Sequence, residues 1–453
     1  MDAADLDYRA RTHTDLIPPH LVSRLIELGH GKEVELQAGR GEWFCAREQA
    51  RLLAGQDRQA EALEVLAPYV ATGWWEAAKT RAGLLEECGR VDEAIELARP
   101  YAEAGDRLAL GYFARLLARQ GRGDEAFSLL SHHVEDWVLA EALVDVSWIA
   151  GRDEDAATLL AARTWVDTCH DSPPCRRHVE PPHAVGLLAT IRERQGRVDE
   201  AIDLLHTRYI TSVNNRDQLA DLLARHDRIE ELRSYAATEP HGHAARRLAE
   251  LLEERGDAES AIAAYGQPGD SPMCEVNRAA QLAPLLVRHG RVEEATEVLR
   301  SLADSPGRAD DCIVNMLCTH YTEQGRAEEG LAYLDTLKAR RNREDWEFFR
   351  IRLTLLFACG LREEAMEQAR AHPEGGSWYA AWSIANLMAD AGRVEEAVAL
   401  LEQHQNNARL RGVLAAHLIE LGRVKDAIAV IQRHEPAPAE QLWTDAPTDL
   451  PPF

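Results

Sequence analysis

Lysine is almost missing from this chain: four Lys stand against 47 Arg in 453 residues. With Ala abundant, we read that skew as the coding bias of a GC-rich, bacterial genome, not as a functional signal. Positive charge as a whole is short, and the net charge is −25. Phosphate binding relies on counterion release by Lys and Arg, so this balance argues against a nucleic-acid role. It argues equally against an anionic membrane surface. Long apolar runs are also missing. Nothing approaches the roughly eighteen apolar residues that a membrane span requires. Met1 to His20 is acidic and polar, so no signal peptide is expected. The eight Cys show no disulfide-framework spacing. Cys45, Cys88, Cys318 and Cys359 fall inside helical patterns, where Cys serves as a small buried hydrophobe. A cytoplasmic chain of ordinary globular composition is the expectation.

Catalytic motifs are missing too. There is no phosphate loop, dinucleotide Gly motif, zinc-protease His pair or nucleophile elbow. Acidic residues are numerous, but their positions follow an internal repeat, so no pair stands out as acid and base. His241-Gly242-His243 reads as the start of a helix. No enzyme is expected, and no cofactor unless a structural zinc.

What the chain does contain is a repeat. A Gly that closes one helical pattern before the next serves as an anchor. Equivalent positions are Asp57, Gly89, Gly121, Gly151, Gly196, Asp227, Gly256, Gly290, Gly325, Gly360, Gly392 and Gly422. Their spacing runs from 29 to 35 residues except for one gap of 45, the signature of a solenoid. Gly suits a helix end that turns left-handed, and Asp tolerates that conformation better than most residues. Arg follows ten of the twelve anchors. An acid lies three residues after ten of them, as at Asp92, Asp124, Asp199, Glu293 and Glu363, in the first turn of the second helix where the macrodipole favours it. Ala recurs five after the anchor (Ala62, Ala94, Ala126, Ala201, Ala295, Ala397) and seven before it (Ala50, Ala82, Ala114, Ala220, Ala249, Ala385). Large apolar residues lie four before (Leu85, Leu117, Leu223, Leu286, Leu356) and eight or nine after (Leu97, Leu130, Leu205, Leu299, Leu401). These offsets give helical stripes on both halves of the unit. One hairpin cannot bury both stripes, so neighbours must stack. The fold expected is an all-α superhelix, a solenoid of about twelve helical hairpins.

The pattern resembles the tetratricopeptide repeat (TPR) family over roughly Glu42 to Gln432. The small residue of the first helix (Ala82, Ala114), the large one three later (Leu85, Leu117), the Ala of the second helix (Ala94, Ala126) and the large residue near its end (Leu130) carry the likeness. Ala98 departs from it at that last position. The family's terminal Pro is mostly missing, and Trp stands fourteen before the anchor at Trp43, Trp75, Trp137, Trp346 and Trp378. Those Trp read as wedges between hairpins, with ligand stacking the alternative.

Taken in order, 1–41 reads as an N-terminal segment, loosely packed to Ile17 and then a capping helix over Pro18 to Gln37. Repeats fill 42–165 and 184–434. Between them, 166–183 is a loop rich in Cys, His and Pro. Its Cys169, His170, Cys175, His178 and His183 could supply a tetrahedral zinc site. A polar loop without metal, or a redox pair, fits the same residues. The segment 435–453 reads as a Pro-rich acidic tail.

The resemblance implies a binding protein whose first helices line a groove, with contacts at positions beside the packing stripe. Carried over to the slots ten and six before the anchors, those contacts fall on Arg47, Arg51, Lys79 and Arg115, and further on at Arg350, Trp382 and Asn386. The first four could clamp a carboxylate or an acidic peptide. A solvated charged face is the alternative. The function expected is a scaffold or adaptor for a protein or peptide. Self-assembly into an oligomer is a second reading, and repeat-coded RNA binding, as in pentatricopeptide proteins of similar period, is a third that the charge disfavours.

Overall fold

The protein is seen in a computed structural model that describes residues 2–13, 16–163, 181–207, 212–213, 216–239, 241–266, 272–305, 311–341, 345–404 and 407–432. Its helices end where the anchors stand. All twelve anchors have positive φ, from 60° at Asp57 to 79° at Gly256. At most of them the N–H that follows the turn reaches back to the carbonyl of a large apolar residue near the helix end, though Arg152 donates to Ser147 and Arg197 to Arg192. Arg122 donates to Leu117 at 3.0 Å, Arg291 to Leu286 at 2.8 Å and Arg423 to Leu418 at 2.8 Å. That is a Schellman closure, and it explains why a Leu and a left-handed residue recur together.

The same closure also ends a helix near the N-terminus, at a position the spacing did not flag. Gly29 has φ of 82° and the His30 N–H donates to the Leu25 carbonyl at 2.8 Å. The expected single capping helix over Pro18 to Gln37 is therefore two helices, Pro19–Glu27 and Gly31–Gly39, which form a first hairpin. Among the described residues the hairpins number thirteen, close to the dozen expected. The segment before them is not loose either. Ala3–Thr12 is a helix capped by the Asp2 carboxylate, which accepts from the Asp5 N–H at 2.8 Å. Leu6, Leu16 and Ile17 are buried. Further along, Pro181 and Pro182 belong to the first turn of the helix Pro181–Arg194, where the ring's fixed φ fits and no N–H is needed. Among the described residues the exception to helix is a two-residue antiparallel ladder pairing Ser212 with Asp217 and Val213 with Arg216.

The chain divides into two compact units, 1–89 with 373–453, and 90–372. In the second unit, hairpins stack in sequence on one continuous apolar core that runs from Ala189 to Leu355. The small slots make close stacking possible: Ala126, Ala201 and Ala295 five after their anchors, and Ala114 seven before, show no exposed surface. The departure at Ala98 has a physical counterpart, since Ala98 is fully buried while Leu97 lies half-exposed. In the first unit the helices Trp43–Ala54, Gln59–Val70 and Trp75–Glu87 follow the first hairpin. Trp43 is buried there, edge-on to Trp74 at 4.8 Å and to Tyr69 at 5.2 Å. The same unit holds the last two hairpins, and the helix Pro19–Glu27 packs on Ala408–Glu420. Arg24 meets Glu420 at 3.5 Å and the Gln432 amide donates to the Gln37 side chain at 3.3 Å.

Candidate binding face and inter-repeat ion pairs

The Arg after the anchor has a structural task that its recurrence alone did not reveal. It is the N-cap residue of the second helix and offers no side-chain acceptor to the helix N–H groups. Its guanidinium instead grips the carboxylate three residues on. Arg58 binds Glu61 at 2.7 Å, Arg122 binds Glu125 at 2.7 Å, Arg326 binds Glu329 at 2.7 Å and Arg423 binds Asp426 at 2.8 Å. In the Arg58, Arg122 and Arg326 pairs Nε and Nη2 each donate to one carboxylate oxygen, the two-pronged geometry that guanidinium allows and ammonium does not. The Arg hydrogen bonds hold Glu61, Glu294, Glu329 and Glu396 below the usual carboxylate range.

At five junctions the same Arg reaches one hairpin back, pairing with the acid three after the preceding anchor: Arg152 with Asp124 at 3.7 Å, Arg197 with Glu154 at 3.2 Å, Arg228 with Asp199 at 2.7 Å, Arg291 with Glu259 at 3.0 Å and Arg326 with Glu293 at 2.9 Å. A ladder of ion pairs thus runs along the second helices of the unit 90–372. The acid read as a dipole partner is also a rung. Across the insertion at 164–180 the stack is joined by further pairs: Arg194 donates to Asp153 and, at 2.7 Å, to the Ser147 hydroxyl.

On the first helices the slots ten and six before the anchors lie at the surface. Arg51, Lys79, Asp145, Glu250, Thr319 and Trp382 are exposed, and Arg47, Arg115, Arg350 and Asn386 are partly so. Gly111 and Asp217 occupy such slots but are buried. The four bases of the expected clamp each have an acid beside them. Arg47 and Arg51 share Glu48 at 3.1 and 3.0 Å, Lys79 sits 3.5 Å from Glu76, and Arg115 pairs with Asp145 at 2.7 Å. Arg350 likewise lies 3.4 Å from Glu347. Arg47, Arg51 and Lys79 fall in the unit that contains the chain ends, and Arg115 and Arg350 in the other. Trp382 and Asn386 stand one turn apart on the helix Trp378–Asp390. The Trp at helix starts do not behave alike: Trp346 is buried as a wedge against His372, whereas Trp137 is 36% exposed beneath the Arg107 guanidinium.

Of the zinc candidates, Cys169, His170, Cys175 and His178 lie outside the described residues. His183 stands on the helix Pro181–Arg194, edge-on to Trp137 and 3.5 Å from Glu141. Among the described residues no group of three or more His, Cys, Asp or Glu is placed to hold a metal ion, and no helix is long and apolar enough to cross a membrane.

These features define an α-helical repeat protein, built from two-helix hairpins that stack through small residues and are tied by Arg–carboxylate rungs. No family model matches the chain, and no curated protein matches it. Among solved structures it is similar to the Naa15/Naa10 complex bound to HypK-THB, with 14% identity and a TM-score of 0.39 over 91% of this chain and 74% of that one. It is also similar to the pentatricopeptide repeat protein PPR10 from maize, with 16% identity and a TM-score of 0.29 over 86% of this chain. There the match spans 64% of the maize chain.

Proposed function

We propose that this chain is a non-enzymatic scaffold of the tetratricopeptide kind, acting in the cytoplasm, that takes a protein or peptide segment along its first helices. The observation that carries this reading is the contrast between two sets of slots on the same helices. The packing slots repeat one chemistry, Ala and Leu, and are buried. The slots ten and six before the anchors change from Arg to Lys, Glu, Thr, Asn and Trp, and apart from Gly111 and Asp217 those named above remain at least partly accessible. A surface kept constant only where it packs, and varied where it faces outward, suits recognition of a specific partner. The pairing of Arg47, Arg51, Lys79 and Arg115 with carboxylates weakens a purely electrostatic clamp. It favours a partner that reads mixed polar and aromatic slots such as Trp382 and Asn386. Nucleic acid is disfavoured by the net charge of −25, since few cations are left for phosphates.

A photo-crosslinking residue placed at Trp382, Asn386 or Thr319, and separately at the second-helix surface positions Glu96 and Ser128, tests the reading in native lysate. Protein crosslinks at the first three positions and not at the last two are expected. The reverse pattern overturns the assignment of the face. Arg51→Glu and Arg115→Glu should weaken capture of an acidic partner, and unchanged capture removes the clamp.

A further inference from the structure

Where the first and last hairpins meet, the ladder changes sign. At ten of the twelve anchors identified from spacing, the third residue on is an acid. After Gly422 it is Lys425, and after the thirteenth anchor, Gly29, it is Lys32. Two of the chain's four Lys therefore occupy the slot that holds Asp or Glu after ten other anchors. They also face the same space. A cavity of about 570 Å³ between the two hairpins is lined by His30, Lys32, Glu33, Arg423, Lys425 and Asp426, among others. At five junctions inside the other unit the acid pairs with the next Arg, at 2.7 to 3.7 Å; after Gly256 and Gly360 the Arg's place is taken by Asp257 and Leu361. Here the residue in the acid's place is Lys425, and the residue in the Arg's place is His30. Both acids of the lining are already engaged. Glu33 accepts from the Gln37 amide at 2.8 Å and Asp426 is gripped by Arg423 at 2.8 Å. Neither Lys32 nor Lys425 has a carboxylate partner among the described residues.

We propose that this cavity binds a compact phosphate-bearing polyanion, which supplies the negative charge the junction lacks and bridges the first hairpin to the last. The space is open to solvent and wide enough to admit a small polyanion. Two ammonium groups free of protein partners are point-charge donors of the kind that hold phosphate, and the His30 imidazole adds a ring N–H. The proposal is independent of the first-helix face, because the cavity lies at the starts of two second helices. The bound anion would stand where the interior hairpins place their own carboxylate.

Calorimetric titration of the full chain with inorganic pyrophosphate at about 0.15 M salt, where surface charges are screened beyond roughly 8 Å, tests this. One saturable site is expected. Lys32→Ala and Lys425→Ala should each weaken it at least tenfold, and Lys338→Ala, on a helix of the other unit, should leave it unchanged. Pyrophosphate should also raise the melting temperature of the wild type and not of the Lys32→Ala/Lys425→Ala double variant. Both lysines are exposed, so the variants are expected to fold, and circular dichroism checks that they do. The proposal is overturned by no saturable binding, by equal binding in the lysine variants, or by equal loss in Lys338→Ala. Citrate binding as tightly as pyrophosphate would overturn the phosphate class.

Discussion

At the scale of single residues the most unusual group is Glu42. Its carboxylate is buried at the start of the helix Trp43–Ala54, accepts from the N–H groups of Phe44 at 3.0 Å and Cys45 at 3.5 Å, and also from that of Ile17. It fastens the N-terminal segment to the second hairpin. Burial is the larger influence and pushes its pKa up to about 7, against the hydrogen bonds that favour the charged form. A folded-state value above the unfolded one means the native state keeps a proton that the unfolded state has lost. Stability from this group is therefore full below the ordinary carboxylate value and falls as pH rises toward 7. At roughly 1.4 kcal/mol per unit, the loss across that window is on the order of 3 kcal/mol. Glu42→Gln keeps the shape and removes the titration. Denaturant melts between pH 4.5 and 7.5 should show the variant losing much of the wild-type slope, and parallel curves would contradict the assignment.

At the scale of helices and hairpins, the sequence was informative wherever a slot had one physical task. Every anchor read from spacing is left-handed, and the Ala slots are buried. The first hairpin escaped because its slots are atypical: Lys32 replaces the acid and Val34 replaces the Ala, so Gly29 did not register as an anchor. The helix Ala3–Thr12 escaped because its buried surface is slight, a single Leu6 that no periodic pattern announces. The Arg–carboxylate grip is local in sequence, an Arg and an acid three apart, and could have been read from recurrence at that second acid. The rungs between hairpins could not, because they depend on the stacking geometry. Close stacking makes its own prediction. A Cβ at Gly123 would lie 2.8 Å from the Ala150 Cβ and 3.0 Å from its Cα, so Gly123→Ala should cost about 1–3 kcal/mol through overpacking. Gly412→Ala, in a helix with open space around it, should instead gain up to about 1 kcal/mol from helix propensity. Equal melting temperatures for the two variants would contradict the packing described.

At the scale of the whole molecule, stability is spread over neighbour contacts, because no hairpin buries both its stripes by itself. The repeat register puts most slots ten and six before the anchors at the surface, with Gly111 and Asp217 buried instead; the pairing of Arg51, Lys79 and Arg115 with Glu48, Glu76 and Asp145 was not legible, since which carboxylate a long side chain reaches is decided by the fold. The contact between the chain's ends was not legible either. Nothing periodic links Gln37 to Gln432. That contact is where the account of mutually supporting hairpins is most exposed, and hydrogen exchange measures it directly. In a chain lacking residues 1–41, amides of the helices Ala408–Glu420 and Val424–Ile431 should exchange markedly faster than in the full chain, alongside those of Trp43–Val70. Faster exchange confined to Trp43–Val70, with 408–431 protected as before, would contradict it.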